Sequence, residues 1–315
     1  MLKAILALMM VLIAVIAADI WLPGNYEAFD LTVSPGSSLR QVCGQLKDHH
    51  VTQSKWTCYA LMRSLNANKY LQAGQFDISK NLSHYQVIQR ILFKPSKMMD
   101  VTFIEGMTVF DLVATLSQQE QLYFSEQLKQ DMLAHPSDYE GRYYPDTYRI
   151  AYGGDVAQIL ISSEQRMSQL LTQEWAKRDV TIPIDSPEQA LVVASLIEEE
   201  TPHDDERPLI ASVIYNRLKK KMKLQIDATV HYALNDYEPL SYKDLKTQHD
   251  YNTYYIQGLP PTPIALVQPE SLKAALHPQH TDFLFYVADT KTGKHIFTRQ
   301  YQDHLKAIKS IRGKS

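Results

Sequence analysis

Between Ser186 and Thr201 the sequence runs Ser-Pro-Glu-Gln-Ala-Leu-Val-Val-Ala-Ser-Leu-Ile-Glu-Glu-Glu-Thr, an apolar helix that ends in three carboxylates. Ser186 can cap it, Pro187 suits the first helical position, and Gln189 completes a capping box by reaching back to the Ser186 amide. From Ala190 to Ile197 only Ser195 is polar, which leaves no solvated face, so the helix must lie inside a domain. Leu191, Ala194 and Glu198 fall on one face, which puts at least one acid at the edge of a core. A carboxyl half out of water holds its proton toward neutral pH, as a general acid requires, and this makes Glu198 the candidate catalytic residue. A plain solvated helix end is the alternative reading. Three acids at a C-terminal end oppose the helix dipole, a local cost of the kind that marks function. Glu200 and His203 stand three apart, as in carboxylate metal bundles, but Pro202 falls between them and no second pair is visible. No metal and no cofactor is expected.

Composition excludes one class of partner. The 315 residues are 45% hydrophobic, enough for one large domain or two moderate ones, and the formal net charge is -3. With a pI near 6.4 no basic surface offers itself to nucleic acid, and a neutral or polar substrate fits better. The 19 tyrosines suit sugar faces and equally suit half-buried packing.

Lys3 precedes an apolar run from Ala4 to Ala18 that reaches Leu22 if Asp19 is tolerated near a membrane surface, where Trp21 would be at home. An uncleaved anchor over 1–22 is favoured, with everything after Pro23 outside the cytoplasm. The small residues Ala14, Ala17 and Ala18 keep signal cleavage open. Cys43 and Cys58 are the two cysteines. An exported compartment permits a disulfide between neighbouring helices, and two buried thiols are the alternative.

After the anchor the pattern predicts a strand at Asp30–Val33, helices over Leu39–His49 and Ser54–Leu65, a strand at Leu71–Ile78 and a helix over Tyr85–Leu92, a unit shaped like a recognition or spacer module. Val101–Thr108 repeats the same strand, glycine turn and hydroxyl cap ahead of a helix from Val109 to Leu116, which suggests a second small lobe. The dense aromatic run from Glu140 to Tyr148 either covers a core or touches ligand. Beyond the central helix, Leu209–Leu218 forms a second apolar helix that brings Asn216 and Arg217 near its end. In Leu224–Val230 every second residue is polar, so Gln225, Asp227 and Thr229 point one way if the segment is extended, a sugar-binding row or a plain half-exposed strand. Tyr251-Asn252-Thr253-Tyr254 precedes Gly258–Ile264, whose prolines hold a rigid backbone suited to positioning a ligand. A helix from Pro269, a hairpin through Phe283–Ala288 and His295–Thr298, and a last helix from Tyr301 close the chain.

As a set, these motifs resemble the endolytic murein transglycosylase (YceG-like) family. The matches are Glu140–Tyr148, Ala194–Thr201, Val213–Leu218, Leu224–Val230, Tyr251–Tyr254, Gly258–Ile264, Lys273–Pro278, and Phe283–Asp289 with His295–Thr298, in the family's order over the whole chain after the anchor. Ile226 and Ala228 depart from the family's usual threonine and proline, and Glu199 stands where a lysine is common.

The resemblance implies an α+β chain: an anchor at 1–22, a LysM-like α/β lobe at 28–97, and a mixed α/β catalytic domain at 98–315 whose first part, about 98–150, is the second small lobe. It implies cleavage of peptidoglycan glycan strands beside the inner membrane, with that membrane and wall synthases such as penicillin-binding proteins as further partners. The family's catalytic glutamate falls on Glu198 by this register, with Glu200 the fallback. Asn216, Gln225, Asp227, Thr229, Tyr251, Asn252, Thr253 and Tyr254 match motifs that border the family's cleft. One carboxyl would act as acid and then base, leaving a 1,6-anhydro sugar. A hydrolase using Asp227 as second carboxylate, or a non-enzymatic glycan-binding scaffold, are the alternatives.

Overall fold

The computed structural model describes residues 2–94 and 97–312. Met1 of the expected anchor, residues 95–96 of the expected first lobe and residues 313–315 of the expected last domain lie outside them. Helix α1 (Leu2–Trp21) is, among the described residues, the one helix long and apolar enough to cross a membrane, and none of its residues is buried. Next come β1 (Phe29–Val33), α2 (Leu39–Asp48), α3 (Lys55–Ser64), the single turn α4 (Ala67–Tyr70), β2 (Gly74–Ile78) and α5 (His84–Phe93). The chain continues through β3 (Met98–Thr102), α6 (Val109–Ser117), α7 (Glu126–Ala134), β4 (Thr147–Ala151) and α8 (Val156–Trp175). It then forms α9 (Pro187–Glu200), α10 (Arg207–Lys219), α11 (Asp227–Leu234), α12 (Pro269–Leu276), β5 (Phe285–Ala288), β6 (His295–Thr298) and α13 (Tyr301–Arg312). β1 pairs with β2, β3 with β4 and β5 with β6, so among the described residues the strands of this mixed α/β chain form separate two-stranded sheets.

Two compact units result. One comprises Met1–Val101, Leu116–Ser125 and Thr147–Ile159, the other Thr102–Thr115, Glu126–Asp146 and Leu160–Ser315. In the first, Leu31 and Val33 of β1 turn inward while Asp30 and Thr32 face out, the period-two pattern of a half-buried strand. Leu31 sits opposite Phe76 across the antiparallel pair, and both join Leu46, Met62, Ile78 and Ile88 in one core. Capping boxes at Ser38 with Gln41 and at Ser83 with Gln86 start α2 and α5. Cys43 and Cys58 are disulfide-bonded, tying α2 to α3 with the Cα atoms 5.7 Å apart.

The second unit is built on α9. Ala190 through Ile197 are all buried, and α10, α11 and α12 pack around the helix. Ala190, Ala194, Ala211 and Ala275 belong to this core, where short side chains let helix axes approach closely. Leu196 is fully buried, so truncating it to alanine would cost about 2–5 kcal/mol. Ser186 caps the helix by accepting from the Gln189 amide at 3.3 Å. The Gln189 side chain reaches one residue further than a capping box requires, accepting from Asp185 N at 2.7 Å. Ser195, the one polar residue inside, receives the amide of Ile264 at 3.1 Å and so fixes the proline-rich loop against the helix.

One segment departs from its sequence pattern. Leu224–Val230 is not extended: Gln225 takes a left-handed φ of 51° and Asp227 opens helix α11. Leu224, Ile226 and Val230 are all buried, and a spacing of four between Ile226 and Val230 serves a helix as well as alternation serves a strand. Gln225, Asp227 and Thr229 therefore do not form a row.

Candidate active site

Successive helical residues are 100° apart, so Glu198 and Glu200 leave α9 on nearly opposite faces and only one of them can look into a given groove. Glu198 is the one that looks inward. Its side chain is 4% exposed, and Oε2 accepts from the Gln268 amide at 3.1 Å while Oε1 accepts from Gln268 Nε2 at 2.6 Å. A guanidinium nitrogen of the buried Arg207 lies 3.9 Å from Oε1. These contacts use up the carboxylate as a brace between α9, α10 and the N-terminal end of α12. Glu198 sits at a core edge, with both carboxylate oxygens engaged by Gln268.

Glu200 opens on a cavity of about 350 Å³ that is lined also by Arg217, Gln225, Asp227, Tyr254 and Tyr286. Burial pushes its carboxyl up to about 7. A hydrogen bond from Tyr286 opposes that rise, the Asp227 carboxylate adds to it, the Arg217 cation opposes it, and Glu199 adds a little more. The departure at Glu199 thus acts on Glu200 through charge alone.

Each remaining wall has a local origin. Asp227 sits in the first turn of α11, where the helix dipole favours a negative charge, and accepts from Tyr254 Oη at 2.5 Å. Arg217, in the last turn of α10, is nearly buried. Nε donates to Leu284 O at 2.7 Å and Nη1 to Leu224 O at 2.5 Å, so the guanidinium holds β5 and the 224 turn at once. Its cation lies 5.4 Å from the Phe285 ring centre. Tyr301 and His304 of α13 close the far side, their rings 5.7 and 5.3 Å from Phe285.

Of the residues expected to border a cleft, Gln225, Asp227 and Tyr254 reach this cavity. The others lie behind it or, for Tyr251, away from it. Thr229 and Thr253 are fully buried and share a hydroxyl contact at 2.9 Å, and Thr253 Oγ1 accepts from Ile226 N at 2.9 Å, which locks the 224–229 turn to the 251–254 loop. Asn252 is equally buried. It donates to Leu245 O and Thr247 O and accepts from Tyr254 N, holding Tyr254 at the rim. Asn216 donates to Thr281 O and Phe283 O, anchoring the approach to β5. Tyr251 packs on Tyr232 and bonds Thr262, away from the cavity.

Glu140, in the aromatic run, is 2% exposed and caps the start of α6, with both oxygens 3.2 Å from Val109 N. Burial pushes this carboxyl too up to about 7, against the bonds from Val109 and Tyr232, but it is closed in by its partners. Tyr286, Tyr301 and His304 escaped the sequence reading. Tyr286 had one available signal, its place mid-strand in a hairpin that the motif pattern had located. No group of three or more His, Cys, Asp or Glu arranged to hold a metal occurs among the described residues.

A carboxyl whose proton burial holds toward neutral pH, at the end of a buried helix and opening on a polar, aromatic-edged cavity beside a second carboxylate, has the arrangement that acid–base chemistry requires. Residues 31–310 match the model of the YceG-like family, and the chain belongs to that family. A Bacillus subtilis (strain 168) protein named endolytic murein transglycosylase is 30% identical over 308 residues, covering 88% of this chain and 83% of the relative. A protein of the same name from Streptococcus pneumoniae serotype 2 (strain D39 / NCTC 7466) is 27% identical over 175 residues, 52% of this chain and 31% of that one. The crystal structure of a yceG-like protein from Listeria monocytogenes, 27% identical, superposes with a TM-score of 0.57 over 90% of this chain and 100% of that one.

Proposed function

We propose that this protein is a lytic transglycosylase that cuts the glycan strands of peptidoglycan, with Glu200 as its single acid and base. The observation that carries the assignment is the opening of Glu200, and not Glu198, on the polar cavity, with its proton held to about 7. Glu200 gives that proton to the glycosidic oxygen as the bond to the muramic C1 breaks. The C6 hydroxyl of the same sugar then attacks C1, and its proton passes to the Glu200 carboxylate. The ring closes as 1,6-anhydro-N-acetylmuramic acid, the enzyme regains its starting state, and no water is consumed.

Tyr254 fixes Asp227 at one side of the cavity, where the pair and Gln225 serve as polar contacts to the sugar. Phe285 and Tyr301 offer ring faces. The family resemblance further supports action on nascent strands, ending their elongation beside wall synthases at the inner membrane, and a LysM-like character for the β1–β2 lobe. We place the chain after α1 outside the cytoplasm, since the Cys43–Cys58 bond suits an oxidising compartment.

A two-carboxylate hydrolase is the second reading, favoured by Asp227 standing on the same cavity as Glu200. Digestion of purified glycan strands by the full chain, with mass analysis of the new ends, separates the two. Anhydro ends are expected, with Glu200→Gln slower by about 10²-fold or more and Glu198→Gln still active. Reducing ends, or full activity in Glu200→Gln, would overturn the assignment.

A further inference from the structure

The chain leaving α1 is stitched at once to the lobe that follows. Pro23 and Ser83 form an antiparallel bridge, Gly24 N donates to Leu82 O at 3.1 Å, and Tyr26 Oη donates to the same carbonyl at 2.9 Å. One turn earlier, Asp19 accepts from Thr52 Oγ1 and from Gln53 N, both at 2.8 Å, and Oδ2 lies 3.8 Å from Nδ1 of the fully buried His84. Trp21 rests on Tyr85 with ring centres 4.6 Å apart. A helix end gripped by both the 52–53 and the 82–85 segments is a fixed joint and not a tether.

Asp19 also reports depth. After Lys3 it is the only charge in α1, and a carboxylate avoids hydrocarbon, so it marks where the helix emerges among headgroups. Thr52 and Gln53, bonded to it, lie at that level as well. Two residues on, Lys55 and Trp56 open α3. Trp56 is 61% exposed, with Lys55 Nζ 5.6 Å and the Arg40 guanidinium 5.9 Å from its ring centre. An exposed indole flanked by two cations matches the polar boundary of a bilayer, where indoles settle and cations meet phosphate.

We propose that the β1–β2 lobe lies on the membrane surface, locked to α1 through Asp19 and seated in the phospholipid headgroups through Trp56, Lys55 and Arg40. This rests on the reading of α1 as a membrane span. The test uses the full chain in vesicles of phosphatidylglycerol and phosphatidylethanolamine. One variant keeps only Trp56 (Trp21→Phe, Trp175→Phe) and another only Trp21 (Trp56→Phe, Trp175→Phe). Nitroxide lipids labelled at the headgroup should quench both tryptophans by half or more. Adding Asp19→Ala and Thr52→Val to the Trp56-only chain should abolish most of its quenching. Should Trp21→Phe loosen the lobe, the unsubstituted chain measured with and without Trp56→Phe gives the Trp56 signal by difference. Quenching of Trp21 without Trp56 would overturn the docking and leave the anchor standing. Absence of quenching at Trp21 would remove the anchor and the docking together.

Discussion

Tyr286 on β5 lines the same cavity as Glu200 at the end of α9, and its hydroxyl acts on the carboxyl proposed to carry the proton. That hydroxyl favours the ionised carboxylate and so works against the burial that raises it. Removing it in Tyr286→Phe should raise the carboxyl further, moving the alkaline limb of the pH–rate profile upward by roughly half to one pH unit. Wild-type kcat/KM should fall about tenfold per unit above about 7 as Glu200 loses its proton. An unmoved limb in a folded Tyr286→Phe enzyme would dissociate the two residues.

Glu198 should matter for stability and not for the proton. Glu198→Ala strips the Gln268 amide and the buried Arg207 of a partner, costing about 1–3 kcal/mol in denaturant titration. The pH limb of catalysis should stay where it is, since Glu200 keeps its surroundings.

Glu206 and His295 form a buried contact at 2.7 Å, and Glu206 also receives the His295 amide and the Thr201 hydroxyl. Burial pulls the Glu206 carboxyl up, but these bonds outweigh it and hold the group below the ordinary carboxylate range. A depressed carboxyl stabilises the fold above its unfolded pKa, about 4.5, and that stabilisation is lost as pH falls through the lower folded value. Glu206→Ala should therefore cost about 3 kcal/mol at pH 7, with the deficit shrinking in acid. A pH-independent deficit would contradict the linkage.

The Cys43–Cys58 bond closes a separation of 15 residues, for which loop entropy gives about 3 kcal/mol. Reduction should lower the melting of the first unit and leave the second unit's transition unchanged, as calorimetry with and without reductant would show.

Much of the architecture was legible because its signals are local. β1, α2, α3, α5 and α9 begin and end within a few residues of where caps, prolines and apolar spacing put them, and α12 begins at the expected Pro269. The site was harder. At Glu198 the helix end was legible in the sequence, but which face of it meets a core and which meets a groove depends on the partner helices. Leu224–Val230 read as a strand because two spacings fit the same apolar residues. Thr229, Asn252 and Thr253 carry sugar-binding chemistry in their side chains but spend it inside the protein, the two threonines on one another and Asn252 on the backbone of Leu245, Thr247 and Tyr254, a fact only tertiary proximity reveals. Arg217 was within view from the sequence, whereas Tyr301 and His304 arrive from a helix some hundred residues after Glu200.

An isolated pair of strands has little stability of its own, and β5–β6 pairs with no other strand among the described residues. Its persistence is borrowed from α13, whose rings clasp Phe285, and from Glu206 gripping His295. Losing either support should therefore loosen the hairpin that carries Phe285 and Tyr286 along the cavity wall.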